Sequence, residues 1–164
     1  MGSEMCIRDR YKTVPSTNAT TWKIAAGGDI GMTDDGKLMT SYLTDFDPDI
    51  IIIGGDITYD DGMRNCYYSW DFFYSMFNPV YNKLERVVPM ILTVGNHDVG
   101  YDALDPLNIT NTNDDVPLFL LFNPQHHASN KKGVPPVLER LPYHHHIIGP
   151  TIHFIMDSGY ILTF

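Results

Sequence analysis

DIIIIGGDITYDDG, residues 49–62, runs four consecutive isoleucines into two glycines and then sets three aspartates and a tyrosine within six residues. A short β-branched run between turn signals is the pattern of a strand buried on both faces. Acidic side chains crowded at the end of such a strand repel one another. That cost predicts something positive between them.

Two further stretches repeat the pattern. Trp22 to Gly28, WKIAAGG, reads as a strand ending in glycine with Asp29 beyond it, and Val87 to Val94 reads as a third strand closed by Gly95-Asn96-His97-Asp98. Helical spacing lies between them. Leu38, Met39, Tyr42, Leu43 and Phe46 make one apolar face over 36–46, with Asp34 and Asp35 as helix-start residues. The aromatic block Tyr67 to Phe77 predicts a buried helix stopped by Asn78-Pro79, and another helix is expected from Tyr81 to Arg86. Strands alternating with helices predict an α/β fold with a largely parallel sheet. Its strands end in Gly28-Asp29, Gly55-Asp56 and Gly95-Asn96. Ligands of such sheets gather at the carboxyl ends of the strands, so the three positions can converge.

From Tyr101 to Tyr143 the pattern weakens into Asn, Asp and Pro, with one apolar run, Val116 to Phe122; a long excursion is expected there. His144 to Asp157 reads as a β-hairpin whose second strand is Thr151 to Met156. His144, His145 and His146 have the composition of a metal tract. Consecutive strand residues point to alternate faces, so at most two could share an ion, and the tract is read as structural. His126 and His127 fall in the excursion and are not assigned to the site.

Eleven Lys plus Arg against twenty Asp plus Glu give a formal charge of -9 over 164 residues. That disfavours nucleic acid or an anionic membrane bound through bulk charge, and no apolar run approaches the roughly 20 residues of a membrane span. The opening MGSEMCIRDR has no hydrophobic period and resembles a translated sequencing adapter, so residues 1–21 are expected to be disordered or artefactual. Setting Cys6 aside with that segment leaves Cys66 without a disulfide partner, and it reads as a small core hydrophobe. Sequons at Asn18 and Asn108 point to a secreted or lumenal protein.

If Asp29, Asp56 and Asn96 meet, two carboxylates and an amide oxygen form a donor set for hard cations, and one carboxylate can bridge two of them. Two such ions can bind a shared hydroxide and clamp a phosphoryl group, with no serine or cysteine nucleophile required. Gly28-Asp29-Ile30-Gly31, Gly55-Asp56-Ile57-Thr58-Tyr59 and Gly95-Asn96-His97-Asp98 resemble the first three of five motifs in the calcineurin-like metallophosphoesterases, in the purple acid phosphatase branch. The branch exchanges an early histidine for a tyrosine, as here, where position 31 is glycine and the second motif carries Tyr59.

The resemblance implies a layered α-β-β-α sandwich, incomplete at the C-terminus, with residues 22–164 its N-terminal portion. It implies Asp29 and the Tyr59 phenolate on a first metal, Asp56 bridging, Asn96 on a second, and His97 toward the substrate as donor or general acid. Asn96 and His97 would both bind substrate, and Asp98 would be a supporting carboxylate in place of the branch's usual glutamate. The implied centre is Fe(III) with Fe, Zn or Mn. Three histidine ligands from the fourth and fifth motifs, V-x-x-H and G-H-x-H, are expected beyond Asp157-Ser158-Gly159. The implied activity is hydrolysis of small phosphate monoesters. A phosphodiesterase of the same superfamily, and a catalytically silent fragment or binding relative, are the alternatives. Oligomeric state is left open.

Overall fold

A computed structural model describes residues 21–100, 104–105, 115–123, 135–148 and 152–156. Residues 1–20, the two sequons, His126, His127 and Asp157-Ser158-Gly159 lie outside them. The isoleucine run forms β2 (Ile50–Ile53), the middle of a three-stranded parallel sheet with β1 (Ile24–Gly27) on one side and β3 (Met90–Leu92) on the other. Ile50, Ile51 and Ile53 are buried, as a central parallel strand requires. The outer strands are shorter than the expected 22–28 and 87–94. Register aligns Gly27, Ile53 and Leu92 in one row, so all three following loops leave from the same edge of the sheet.

Between β1 and β2 lie α1 (Asp34–Ser41) and α2 (Leu43–Phe46); between β2 and β3 lie α3 (Tyr68–Met76) and α4 (Asn78–Leu84). Thr33 caps α1, its hydroxyl accepting from the Gly36 amide at 3.1 Å, and Asp34 and Asp35 occupy the first turn, where the helix dipole favours them. Pro79 sits in the first turn of α4, where its missing N–H costs nothing. The proline therefore opens this helix instead of only ending α3, and α4 begins earlier than the expected Tyr81.

The core gathers Trp70, Phe73, Met76 and Phe77 against Ile51, Ile53 and Leu92, with Val116 and Leu118 to Leu120 closing it. Those last residues belong largely to a short α5 (Pro117–Phe122) inside the expected excursion. Trp70 stacks on Phe122 with ring centres 5.3 Å apart. Arg140 donates to the carbonyls of Leu120 and Leu121 at 2.6 and 3.0 Å, satisfying the last turn of α5. The hairpin is antiparallel, β4 (His144–Ile148) with β5 (Ile152–Met156). No helix among the described residues is long and apolar enough to cross a membrane.

Two expectations about burial are corrected. Most of the apolar face over 36–46 stays outside the core: Leu38, Met39, Tyr42 and Phe46 are exposed, Leu43 packs against the core half-buried, and the buried residues of α1 are Gly36 and Thr40. Small residues face inward because the helix lies close to the chain beneath it. A Cβ at Gly36 would come 2.6 Å from the Ile30 carbonyl oxygen, and the Thr40 hydroxyl donates to the Met76 carbonyl at 3.1 Å. Met39 and Leu43 instead border a cavity of about 450 Å³ with Ala25, Ile51, Ile53 and Phe77. In the aromatic block Tyr67 and Tyr68 are exposed, their rings tilted at 33° to each other with centres 4.1 Å apart, since only one face of α3 is buried.

Candidate metal centre

Each of the three strand-end loops leaves the sheet through glycine and turns sharply. The Gly54 amide donates to the Gly27 carbonyl at 2.6 Å and the Asp29 amide to the Gly55 carbonyl at 3.2 Å, tying the first loop to the second. Gly55 has φ +108, and a Cβ there would lie 2.7 Å from the Gly95 backbone, so glycine is required on both counts. At Gly95 a Cβ would run into the Asp56 carboxylate itself. The second and third loops are packed backbone against backbone.

Asp29, Asp56, Tyr59 and Asp61 all have φ near +50. Asparagine and aspartate tolerate this left-handed region, whereas a tyrosine rarely enters it. Such residues cost of order 1–3 kcal/mol each, persist where the surroundings over-determine them, and cluster at functional sites. The turns aim side chains at one place. The Tyr59 hydroxyl lies 3.5 Å from Asp29 Oδ1, and the His97 amide donates to Asp56 Oδ1 at 3.0 Å. Asp29 is exposed, Asp56 is buried, and Tyr59 is half-buried. Burial first, then the charges of Asp56 and Asp29, pushes the Tyr59 phenol above its ordinary value. Without a cation the phenol keeps its proton.

Asn96 opens the short 3-10 turn Asn96–Asp98 at a half-buried position. Among the described residues its side chain is not hydrogen-bonded to Asp29, Asp56 or Tyr59. His97, next in the turn, stacks its ring on Tyr59 with centres 4.9 Å apart. Asp98 is buried and accepts from the amides of Ile57 at 2.9 and 3.0 Å, Thr58 at 3.1 Å and Gly95 at 2.9 Å. Burial pushes its carboxyl up to about 6, opposed by those three amides, which favour the anion. Asp98 therefore joins the second loop to the third.

Two further aspartates of the second loop, Asp60 and Asp61, also have long-range partners. Asp60 is buried and accepts from the Thr58 hydroxyl at 2.7 Å, the Trp70 indole at 2.9 Å and the Gly62 amide at 2.9 Å. Asp61 Oδ1 lies 3.4 Å from His97 Nδ1, and the Asp61 amide donates to the His97 carbonyl at 2.9 Å. Thr-x-Asp spacing could have signalled the first. No local signal carries the second, because its partners lie 36 residues apart.

The Asp29 carboxylate and the Tyr59 phenol meet here, with the Asp56 charge acting on the same phenol, and oxygen donors of this kind suit a hard cation. Among the described residues no group of three or more His, Cys, Asp or Glu is arranged to hold an ion. The sequence profile of the calcineurin-like phosphoesterases matches residues 23–159, a span that includes all three motifs. Over 91 residues, 56% of this chain, the sequence is 30% identical to purple acid phosphatase 22 of Arabidopsis thaliana, and the matched stretch is 19% of that relative's length.

Proposed function

This chain belongs to the calcineurin-like phosphoesterase family, and from that premise we propose that it hydrolyses small phosphate monoesters, in the manner of an acid phosphatase, at a dinuclear metal centre. The observation that carries the reading is the convergence of the loops after β1, β2 and β3, with Tyr59 against Asp29 and the His97 amide on Asp56. In this reading Asp29 and Tyr59 hold a ferric ion, Asp56 bridges, and Asn96 helps hold a second ion of Fe, Zn or Mn. Further ligands come from outside the described residues, and residues 22–164 form the N-terminal portion of the catalytic domain. When bound, the ions supply positive charge that ionises the phenol, activates water and neutralises the phosphate.

The chain's own residues do the rest. Asp98 ties together the second and third loops, which carry Asp56 and Asn96. Stacking on Tyr59 sets the plane of His97. The Asp61 carboxylate beside Nδ1 leaves Nε2 as the nitrogen to meet the substrate, where it donates to a phosphate oxygen or to the departing alkoxide. An overall charge of -9 gives an anionic ester no bulk attraction, so its binding rests on the local positive charge of the centre. The two sequons support a secreted or lumenal location for the protein.

Iron-loaded protein tests the reading. We expect a visible phenolate-to-iron absorption that Tyr59→Phe removes, and faster hydrolysis of p-nitrophenyl phosphate than of bis-p-nitrophenyl phosphate. A band that survives Tyr59→Phe overturns the phenolate ligand. Preference for the diester selects the phosphodiesterase alternative, and phosphate binding with no turnover selects a binding relative.

A further inference from the structure

Tyr59 carries a bulky ring on a left-handed backbone, with φ +53. Aspartates such as Asp29, Asp56 and Asp61 enter that region with little resistance, and a tyrosine does not. A residue held there persists only where its surroundings over-determine it. The ring itself supplies little of that hold, being half-buried with its hydroxyl 3.5 Å from Asp29 Oδ1.

The hold comes from the residues on either side. Thr58 and Asp60 are 0% and 1% exposed, and the Thr58 hydroxyl donates to Asp60 Oδ2 at 2.7 Å. This bond joins two side chains across Tyr59, so both flanking residues point inward and the residue between them is turned outward. Both are also fastened to other parts of the chain. From α3 the Trp70 indole donates to the same Asp60 oxygen at 2.9 Å, and the Thr58 amide donates to Asp98 Oδ1 at 3.1 Å. Asp60 Oδ1 accepts from the Gly62 amide at 2.9 Å, and a Cβ at Gly62 would lie 2.6 Å from the Asp115 carbonyl oxygen. The loop is therefore pinned on both sides of the tyrosine.

We infer that Thr58 and Asp60 are positioning residues for Tyr59, their hydrogen bond holding the phenol beside Asp29 and the ring on His97. They act through the Tyr59 backbone. The consequence for catalysis rests on the phosphoesterase reading proposed above. The consequence for the ring does not, because the stack of Tyr59 on His97 belongs to the chain without metal.

Two substitutions separate the hydrogen bond from simple packing. Thr58→Val keeps the shape and removes the donor, whereas Thr58→Ser keeps the donor and removes a methyl group. NMR of the metal-free full chain reads the stack, with ring centres 4.9 Å apart, through the ring-current shifts of Tyr59 and His97. We expect Thr58→Val to lose most of these shifts and Thr58→Ser to keep them, with the amide signals of β1 to β3 unchanged in both. In iron-loaded protein the phenolate absorption should weaken in Thr58→Val, and kcat should fall at least about tenfold while KM stays within about threefold. Wild-type ring shifts in Thr58→Val, or a larger loss in Thr58→Ser, overturn the inference. Should Thr58→Val fail to fold, Thr58→Ala removes the same donor without a methyl group against Asp60, and the same two outcomes decide. A wild type with stacked rings but neither absorption nor turnover counts against the ferric phosphatase reading alone, and the ring shifts still decide the role of Thr58 and Asp60.

Discussion

At Asp98 one carboxylate takes hydrogen bonds from the amides of Ile57, Thr58 and Gly95, which belong to two loops about 40 residues apart in the chain. Asparagine at this position keeps the shape but exchanges an acceptor oxygen for an NH₂ group, which cannot accept from an amide. At least one buried N–H is then left unmade. We expect Asp98→Asn to lower stability by about 1–3 kcal/mol, read as the urea midpoint, and to weaken metal loading of the centre with it. An unchanged midpoint would show that these amides find other partners. The Asn-His-Asp triplet was legible as a strand-end loop because it follows an apolar run through glycine, as the other two loops do. What Asp98 binds was not legible, since its partners are backbone groups that any sequence carries.

At the level of elements, α3 and α5 meet through Tyr74, whose hydroxyl donates to the Phe122 carbonyl at 2.9 Å. Burial pushes this phenol from 10 up to about 12. The sign of the linkage follows: between pH 10 and 12 the unfolded chain releases a proton that the folded chain keeps. Stability contributed by Tyr74 is whole below pH 10 and is lost as pH rises toward 12, on the order of 2–3 kcal/mol across the window. Tyr74→Phe should flatten the fall in urea midpoint between pH 9.5 and 11.5, where other exposed tyrosines contribute equally to both proteins. A variant with the wild-type slope would remove Tyr74 from the account. The strands and α3 were readable from short-range pattern. Which face of α1 is buried was not, because periodicity marks an apolar face without saying what lies opposite it, and here Gly36 and Thr40 face inward.

Across the whole molecule the core and the site are joined at Trp70. Its ring is fully buried among Phe73, Phe119 and Phe122, and its indole N–H donates to Asp60 in the loop that carries Asp56 and Tyr59. Trp70→Phe keeps an aromatic ring in the core but removes one of three donors from a buried carboxylate. The expected cost is about 1–3 kcal/mol in thermal or urea unfolding, with a parallel loss of phosphoester hydrolysis as the loop loosens. Stability falling while hydrolysis per folded molecule holds would show that core and site are independent. The sequence by itself determined three parallel strands, their glycine exits and the row of acidic and amide residues beyond them, because β-branched runs and turn glycines act over a few residues. Only the tertiary structure decided that Asp61 meets His97, that Asp98 ties two loops together, and that His144 and His146 stand 5.0 Å apart. Contacts between residues far apart in the chain, and the angle between two side chains on one strand, are set by packing, and packing leaves no local mark in the order of amino acids.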